Sequence, residues 1–306
     1  MRRALTGIFI GIALLGLLCG GLYILGTRQI AVREPEHLDH VRNQISGRFL
    51  EVQGRRIHIV EQGVGPTLLL VHGFAASTFD WEEAVLPALA HEYHVVALDL
   101  YGMGFSERND DLRYGFALWA TQLRDTLDAL AIDRVTVVGH SLGGAVATLF
   151  AAEHPERVDR LVLVAALAPA GIREAPWWAF VLLTPGVGEF FAGQLEYFTP
   201  PGFSAAYYER ARSIYRLAGT RRAMLRYVRG GADFPRLLVA YPRIQAPTLI
   251  LHGTADEAVP YGTVTRVKPL LQQVQMVTAE GGSHWLYRDK PEWVVAEIRT
   301  FLQSSH

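Results

Sequence analysis

Cysteine is nearly missing from this chain of 306 residues: Cys19 stands alone, so no disulfide can close within it, and no Cys/His cluster has zinc-site spacing. A strong charge of either sign is missing too. With 29 basic and 30 acidic residues the formal net charge is −1, which removes the electrostatic case for nucleic acid as a partner. No internal repeat or low-complexity segment is visible. Hydrophobic residues, by contrast, make up 50% of the chain. The length suits one large domain with a substantial core plus short additions.

The longest uncharged run follows Arg2-Arg3 and covers residues 4–27, rich in Leu, Ile and Gly. At about 1.5 Å per residue a helix of that length reaches across the roughly 30 Å hydrocarbon layer. A cleaved signal peptide has a shorter apolar core, about 7–15 residues. Neither residues 22–26 nor Leu17-Leu18 ahead of Cys19 offers a small-residue processing site. Residues 1–27 are therefore read as an uncleaved, single-pass membrane anchor. Arg2 and Arg3 against Arg28 and Arg33 give a weak asymmetry, which leans toward a cytoplasmic amino end and a catalytic domain on the non-cytoplasmic side. Gly7-xxx-Gly11 and Gly16-xxx-Gly20 have helix-pairing spacing, which the six glycines of the segment also produce by chance. Residues 28–46 are polar, without a persistent apolar face, and read as a tether. Residues 47–306 form the folded domain.

Short β-rich runs then alternate with helical patterns. Residues 49–52 and 57–60 flank Gln53-Gly54 as an antiparallel edge hairpin. Thr67–Val71 is a continuous apolar run of the kind buried on both faces, repeated at 94–100, 134–138, 161–165 and 248–251, with 274–278 a shorter last member. Helical patterns occupy 81–89, 118–131, 142–154 and 291–302. Such alternation predicts an α/β fold: a mostly parallel sheet with helices on both faces. From 169 to 246 no comparable strand occurs, and the aromatic-rich, helix-like sequence reads as a helical cap over the carboxyl edge of the sheet, where open α/β sheets place ligands.

Gly139-His140-Ser141-Leu142-Gly143 fits G-x-S-x-G, with a strand running in and a small-residue helix running out. The physical sense is a strained strand-to-helix turn that lifts one side chain above the sheet. The Leu142 amide, at the helix amino end, is then placed to stabilise an oxyanion. A serine hydroxyl needs a base, and the base needs a group to hold its tautomer.

Strand, elbow and helix together resemble the α/β-hydrolase superfamily, over roughly residues 48–304. That resemblance implies the α/β-hydrolase fold, the nucleophile Ser141, an acid from a late strand end, Asp256 in Gly253-Thr254-Ala255-Asp256, and a base further on, His284 in Gly281-Gly282-Ser283-His284. The chain order Ser…Asp…His is the order of this fold. The neighbouring Glu257 fits the acid position less well. His72-Gly73-Phe74 resembles the oxyanion loop and assigns the second donor to the Phe74 backbone amide, with His72 structural. Asp99 and Ser106 belong to a D-x-x-G-x-G-x-S turn read as architectural, and His252 as a packing residue.

Related epoxide hydrolases and dehalogenases carry aspartate at the elbow, where this chain has Ser141. Carbon–carbon bond hydrolases use serine and resemble His284-Trp285 locally, but carry Asn where this chain has His140. The resemblance then implies a serine esterase or lipase acting through an acyl-enzyme on a small ester or lipid, with no metal or organic cofactor. A carbon–carbon bond hydrolase, a perhydrolase and a non-catalytic binding module are the alternatives. The cap aromatics, Trp177, Trp178 and Tyr197 foremost, suit an apolar acyl pocket or simply dock the cap. Its arginines, Arg210, Arg212, Arg216, Arg221, Arg222, Arg226 and Arg229, read as a solvated helix face, or as a face turned toward anionic headgroups. Oligomeric state leaves no mark in the sequence.

Overall fold

The computed structural model describes residues 2–41, 45–169, 183–196 and 202–304, with side chains from residue 13 onward. The edge hairpin is β1 (Arg48–Val52) and β2 (Arg55–Gln62), turning through Gln53 and Gly54, both at positive φ. β3 (Thr67–Val71), β4 (His94–Leu98), β5 (Val135–His140), β6 (Val158–Val164), β7 (Thr248–Gly253) and β8 (Val274–Ala279) complete an 8-stranded sheet in the order β1-β2-β4-β3-β5-β6-β7-β8. The hairpin is antiparallel to β4, and every pairing from β4 to β8 is parallel. β5 is buried along its whole length, as its three valines suit a strand covered on both faces.

The helices that position the site are α1 (Arg2–Arg33), α2 (Phe79–Glu82), α3 (Val85–Leu89), α4 (Phe116–Ala129), α5 (Leu142–Glu153), α6 (Val187–Gln194), α7 (Ala205–Tyr215), α8 (Thr220–Gly230), α9 (Leu286–Asp289) and α10 (Pro291–Gln303). The single helix expected over 81–89 is two short ones. Pro87 has no N–H to bond back along a continuous helix, and restarting at Val85 puts it in a first turn, where none is needed. α5 is buried from Leu142 to Ala152, and its small residues let it lie close to the sheet. Between β6 and β7 the described residues hold only helices, α6 to α8 and Phe234–Ala240 among them, which form the cap.

The amino-terminal segment departs from the reading of a free tether after residue 27. α1 continues to Arg33 and packs along α6 of the cap. Their backbones meet where side chains are missing: a Cβ on Gly26 would lie 2.4 Å from the Glu189 carbonyl carbon, and one on Gly193 3.0 Å from the Gly26 oxygen. Gly16 and Gly20, which have helix-pairing spacing, face open space instead. Ile30 is buried with Ala192 and Leu225. Just beyond, Glu36 pairs with Leu217 in a parallel bridge.

Glu34 and Arg221 lie at the centre of this junction, each side chain only 3% exposed. Glu34 accepts from the Gly219 amide at 2.8 Å, the Arg221 amide at 2.7 Å and Arg221 Nη1 at 3.1 Å. The guanidinium also donates to the carbonyls of Ala192, Tyr215, Leu195 and Glu196. The reading of the cap arginines as a solvated face holds for Arg212, Arg216 and Arg222, whose side chains are 45%, 51% and 59% exposed, and fails for Arg221. Arg221 is interior, Arg229 is paired with Glu189, Arg222 and Arg226 with Asp110, Arg216 with Glu36 and Arg212 with Glu209. A chain starting near Ser46 would lose Glu34 and leave a buried cation uncompensated.

Removing one partner of such a pair costs about 3–5 kcal/mol. Arg221→Met is therefore expected to lower the unfolding midpoint clearly in detergent solution. Arg222→Met, which breaks an exposed pair of 59% and 61% side-chain exposure, should cost about 0–1 kcal/mol. Equal thermal shifts for the two variants would contradict the role given to the Glu34–Arg221 pair.

Candidate active site

Ser141 sits between β5 and α5 with φ 50° and ψ −119°. A non-glycine residue there costs of order 1–3 kcal/mol, so the surroundings must hold it. The Ser141 amide donates to the Val164 carbonyl at 3.1 Å, and the Ser141 carbonyl accepts from Gly144 at 2.9 Å and Leu167 at 2.8 Å. The flanking glycines are required by space: a Cβ on Gly139 would lie 2.4 Å from the Gly143 oxygen, and one on Gly143 2.3 Å from the Val71 oxygen. α5 begins at Leu142, so the Leu142 N–H is among the helix amides without an intrahelical acceptor.

His284 Nε2 is 2.9 Å from Ser141 Oγ, and His284 Nδ1 is 2.8 Å from Asp256 Oδ2. Both partners are buried, Asp256 6% and His284 7% exposed. The other Asp256 oxygen accepts from the amides of Ala258 at 2.9 Å and Val259 at 2.7 Å. A carboxylate so placed only accepts, so Nδ1 carries the proton and Nε2 turns a lone pair toward the serine. Glu257 is exposed, outside this chain of bonds. His252 is buried at the β7 end and donates from Nε2 to the Val259 carbonyl at 2.9 Å, which helps to shape the acid loop.

The loop after β3 approaches the serine closely: a Cβ on Gly73 would lie 3.3 Å from Ser141 Cβ. Phe74 follows, its ring against Tyr227 of α8 with centroids 5.4 Å apart. His72 is fully buried. The Leu100 amide donates to its Nε2 at 3.0 Å, so Nδ1 carries the hydrogen and donates to the Gly73 carbonyl at 2.7 Å. Asp99 accepts from Thr78 at 2.6 Å, His58 Nδ1 at 2.7 Å and Phe105 at 2.8 Å, and Ser106 donates to its carbonyl at 2.6 Å. Burial alone would push the Asp99 carboxyl up, but the charge and hydrogen bond of His58 and the Phe105 amide hold it below the usual range. These residues shape the loops rather than face the serine. Trp177, Trp178 and Tyr197, read as pocket candidates, lie outside the described residues.

Sequence reasoning passed over Asp80 and its neighbours. Asp80, on α2, is 4% exposed and accepts from the Tyr207 hydroxyl at 2.5 Å. His140, the residue before the serine, is 2% exposed, with Nε2 2.9 Å from the His284 carbonyl oxygen. Asp80 Oδ2 and His140 Nδ1 face each other across 3.9 Å. The only local sign was an acid set between the aromatics Phe79 and Trp81.

The family model described as the alpha/beta hydrolase family matches residues 68–297. The 2-hydroxy-6-oxo-2,4-heptadienoate hydrolase of Pseudomonas putida is 29% identical over 283 residues, 84% of this chain and 96% of that one. The soluble epoxide hydrolase of a Corynebacterium species is 30% identical over 286 residues, 82% of this chain and 95% of that one. Among solved structures, a membrane phospholipase A described as a bacterial virulence factor superposes with a TM-score of 0.68 at 27% identity, covering 99% of this chain and 98% of its own.

Proposed function

This chain belongs to the alpha/beta hydrolase family, and from that premise we propose that it is a membrane-anchored serine hydrolase, cleaving carboxylic esters of lipid-like acyl groups through an acyl-enzyme on Ser141. The observation that carries the proposal is the buried line of hydrogen bonds from Asp256 through His284 to Ser141 Oγ. His284 Nε2 takes the hydroxyl proton as Oγ attacks the acyl carbon. The oxyanion that forms is met by the amides of Leu142 and Phe74. The imidazolium then gives its proton to the departing alcohol, leaving an acyl ester on Oγ. Water, deprotonated by the same nitrogen, attacks that ester and restores the serine.

Lipid as the acyl source is supported from two sides. α1 carries a 21-residue stretch, Ala13–Arg33, apolar and long enough to cross a bilayer, and only 6% of its most apolar window is buried. The likeness to the membrane phospholipase A takes in this helix, since it extends over 99% of the chain, whereas the two hydrolase relatives match 84% and 82%. α6 packs on α1 between Cys19 and Gln29, within that same stretch, and carries the exposed Phe191, which supports a cap held against the membrane by the anchor. The weak charge asymmetry of the flanks supports a domain on the non-cytoplasmic side.

A carbon–carbon bond hydrolase is the second reading, favoured by the 29% identity to the Pseudomonas enzyme. His140 in place of Asn and the anchor argue for esters. The detergent-solubilised full chain should turn over p-nitrophenyl esters of graded acyl length, with kcat/KM rising into medium chains, and should leave 2-hydroxy-6-oxo-2,4-heptadienoate intact. Cleavage of the dienoate with no ester turnover would reverse the assignment. Turnover of neither would point to a non-catalytic module.

A further inference from the structure

The Asp80–His140 contact is unusual in its protonation. The His284 carbonyl can only accept, so His140 Nε2 donates the 2.9 Å bond, and the neutral ring is left with a lone pair on Nδ1. That lone pair faces Asp80 Oδ2 across 3.9 Å, and neither atom has another hydrogen-bond partner among the described residues. If Asp80 were ionised, two acceptors would confront each other in a buried site. One proton between them removes the conflict.

Its location follows from the surroundings. His140 is enclosed by Trp81, Tyr287 and His284, with ring centroids at 6.5, 4.8 and 4.9 Å. Burial first, and the nearby His284 second, hold its imidazole well below the usual histidine range. Burial pushes the Asp80 carboxyl up to about 7, against hydrogen bonds from Tyr207 of α7, Tyr287 of α9 and the Gly73 amide, with the Asp99 charge adding to the rise. Of the two groups Asp80 therefore holds the proton, up to about pH 7.

We propose that Asp80 is a neutral carboxylic acid, held between Tyr207 of the cap and His140, that fixes the backbone of His284 and so couples the cap to the general base. It touches no reacting atom and is a positioning residue. The inference rests on the reading of His284 as base. Its mechanical sense is that α7 reports its position to the site through two side chains, Tyr207 and Asp80, and one ring, His140. Ionisation of Asp80 breaks the line, because an anion facing the Nδ1 lone pair repels it.

The test is the rate of inactivation by a fluorophosphonate, a probe of Ser141 that does not depend on the ester reading, followed from pH 6 to 9 for the full chain in detergent. Asp80→Asn keeps a neutral donor toward His140 and an acceptor for Tyr207. The ratio of its rate to that of the unaltered enzyme should rise with pH, because only the carboxyl can ionise. Asp80→Ala should be slower across the range, by up to about 10²-fold for a misplaced base. Tyr207→Phe removes a bond that favours the ionised form, so it should move the alkaline fall to higher pH. A flat Asp80→Asn ratio, or Asp80→Asn as slow as Asp80→Ala at every pH, would overturn the proposal. No inactivation of the unaltered enzyme at any pH would overturn the serine-hydrolase reading beneath it.

Discussion

Ser141→Ala is expected to abolish covalent labelling by a fluorophosphonate and to lower kcat on an ester by about 10⁴–10⁶-fold. The size of the loss follows from chemistry with no substitute nearby. Oγ lies 2.9 Å from His284 Nε2 on an elbow that lifts it off the sheet, and a methyl group neither attacks nor gives up a proton. The residual rate would come from the amides of Leu142 and Phe74 acting on bound substrate with water as nucleophile. The fold should survive, because alanine meets the same backbone strain at φ 50° that serine does. Circular dichroism and the melting temperature should match the parent. Labelling that persists in the variant would place the nucleophile elsewhere.

Asp256→Asn should lower kcat by about 10⁴-fold, with the loop geometry kept. The asparagine carbonyl can still accept from the Ala258 and Val259 amides, which now hold Asp256 Oδ1 at 2.9 and 2.7 Å. Its amide group then faces His284 Nδ1 as a donor. That forces the hydrogen of the imidazole onto Nε2, where it points at Ser141 and cannot receive the hydroxyl proton. Glu257→Gln, at an exposed neighbouring position, should stay close to the parent in kcat and KM on the same chromogenic ester. A reversed ranking of the two variants would reassign the acid.

What the sequence made legible was local. Strand, glycine, serine, glycine and helix are consecutive in the elbow, so residues 135–153 could be read as one unit, and the parallel sheet followed from its uninterrupted apolar runs. Asp256 and His284 were legible as strand-end positions in a fixed order. The contacts that were not legible join distant segments. Tyr207 and Asp80 are separated by 127 positions, Arg221 and Glu34 by 187, and Arg222 and Asp110 by 112. No periodicity records such partners. Arg221 could not be told from the exposed arginines around it, because composition shows a charge and not the buried carboxylate of Glu34 that it meets. The tether misled for a related reason: the lone apolar Ile30 and the acid Glu34 make no apolar stripe, yet both are buried against the cap.

The central claim is that ester cleavage passes through an acyl group on Ser141. The most direct measurement is intact-protein mass spectrometry on the acid-quenched enzyme within the first turnovers of a medium-chain p-nitrophenyl ester, followed by peptide mapping. The predicted result is a mass gain equal to one acyl group less a hydrogen, located on the peptide bearing Ser141, matched by a burst of p-nitrophenol and missing in Ser141→Ala. Ester turnover that continues undiminished in Ser141→Ala, or an acyl group carried on any other residue, would contradict the claim.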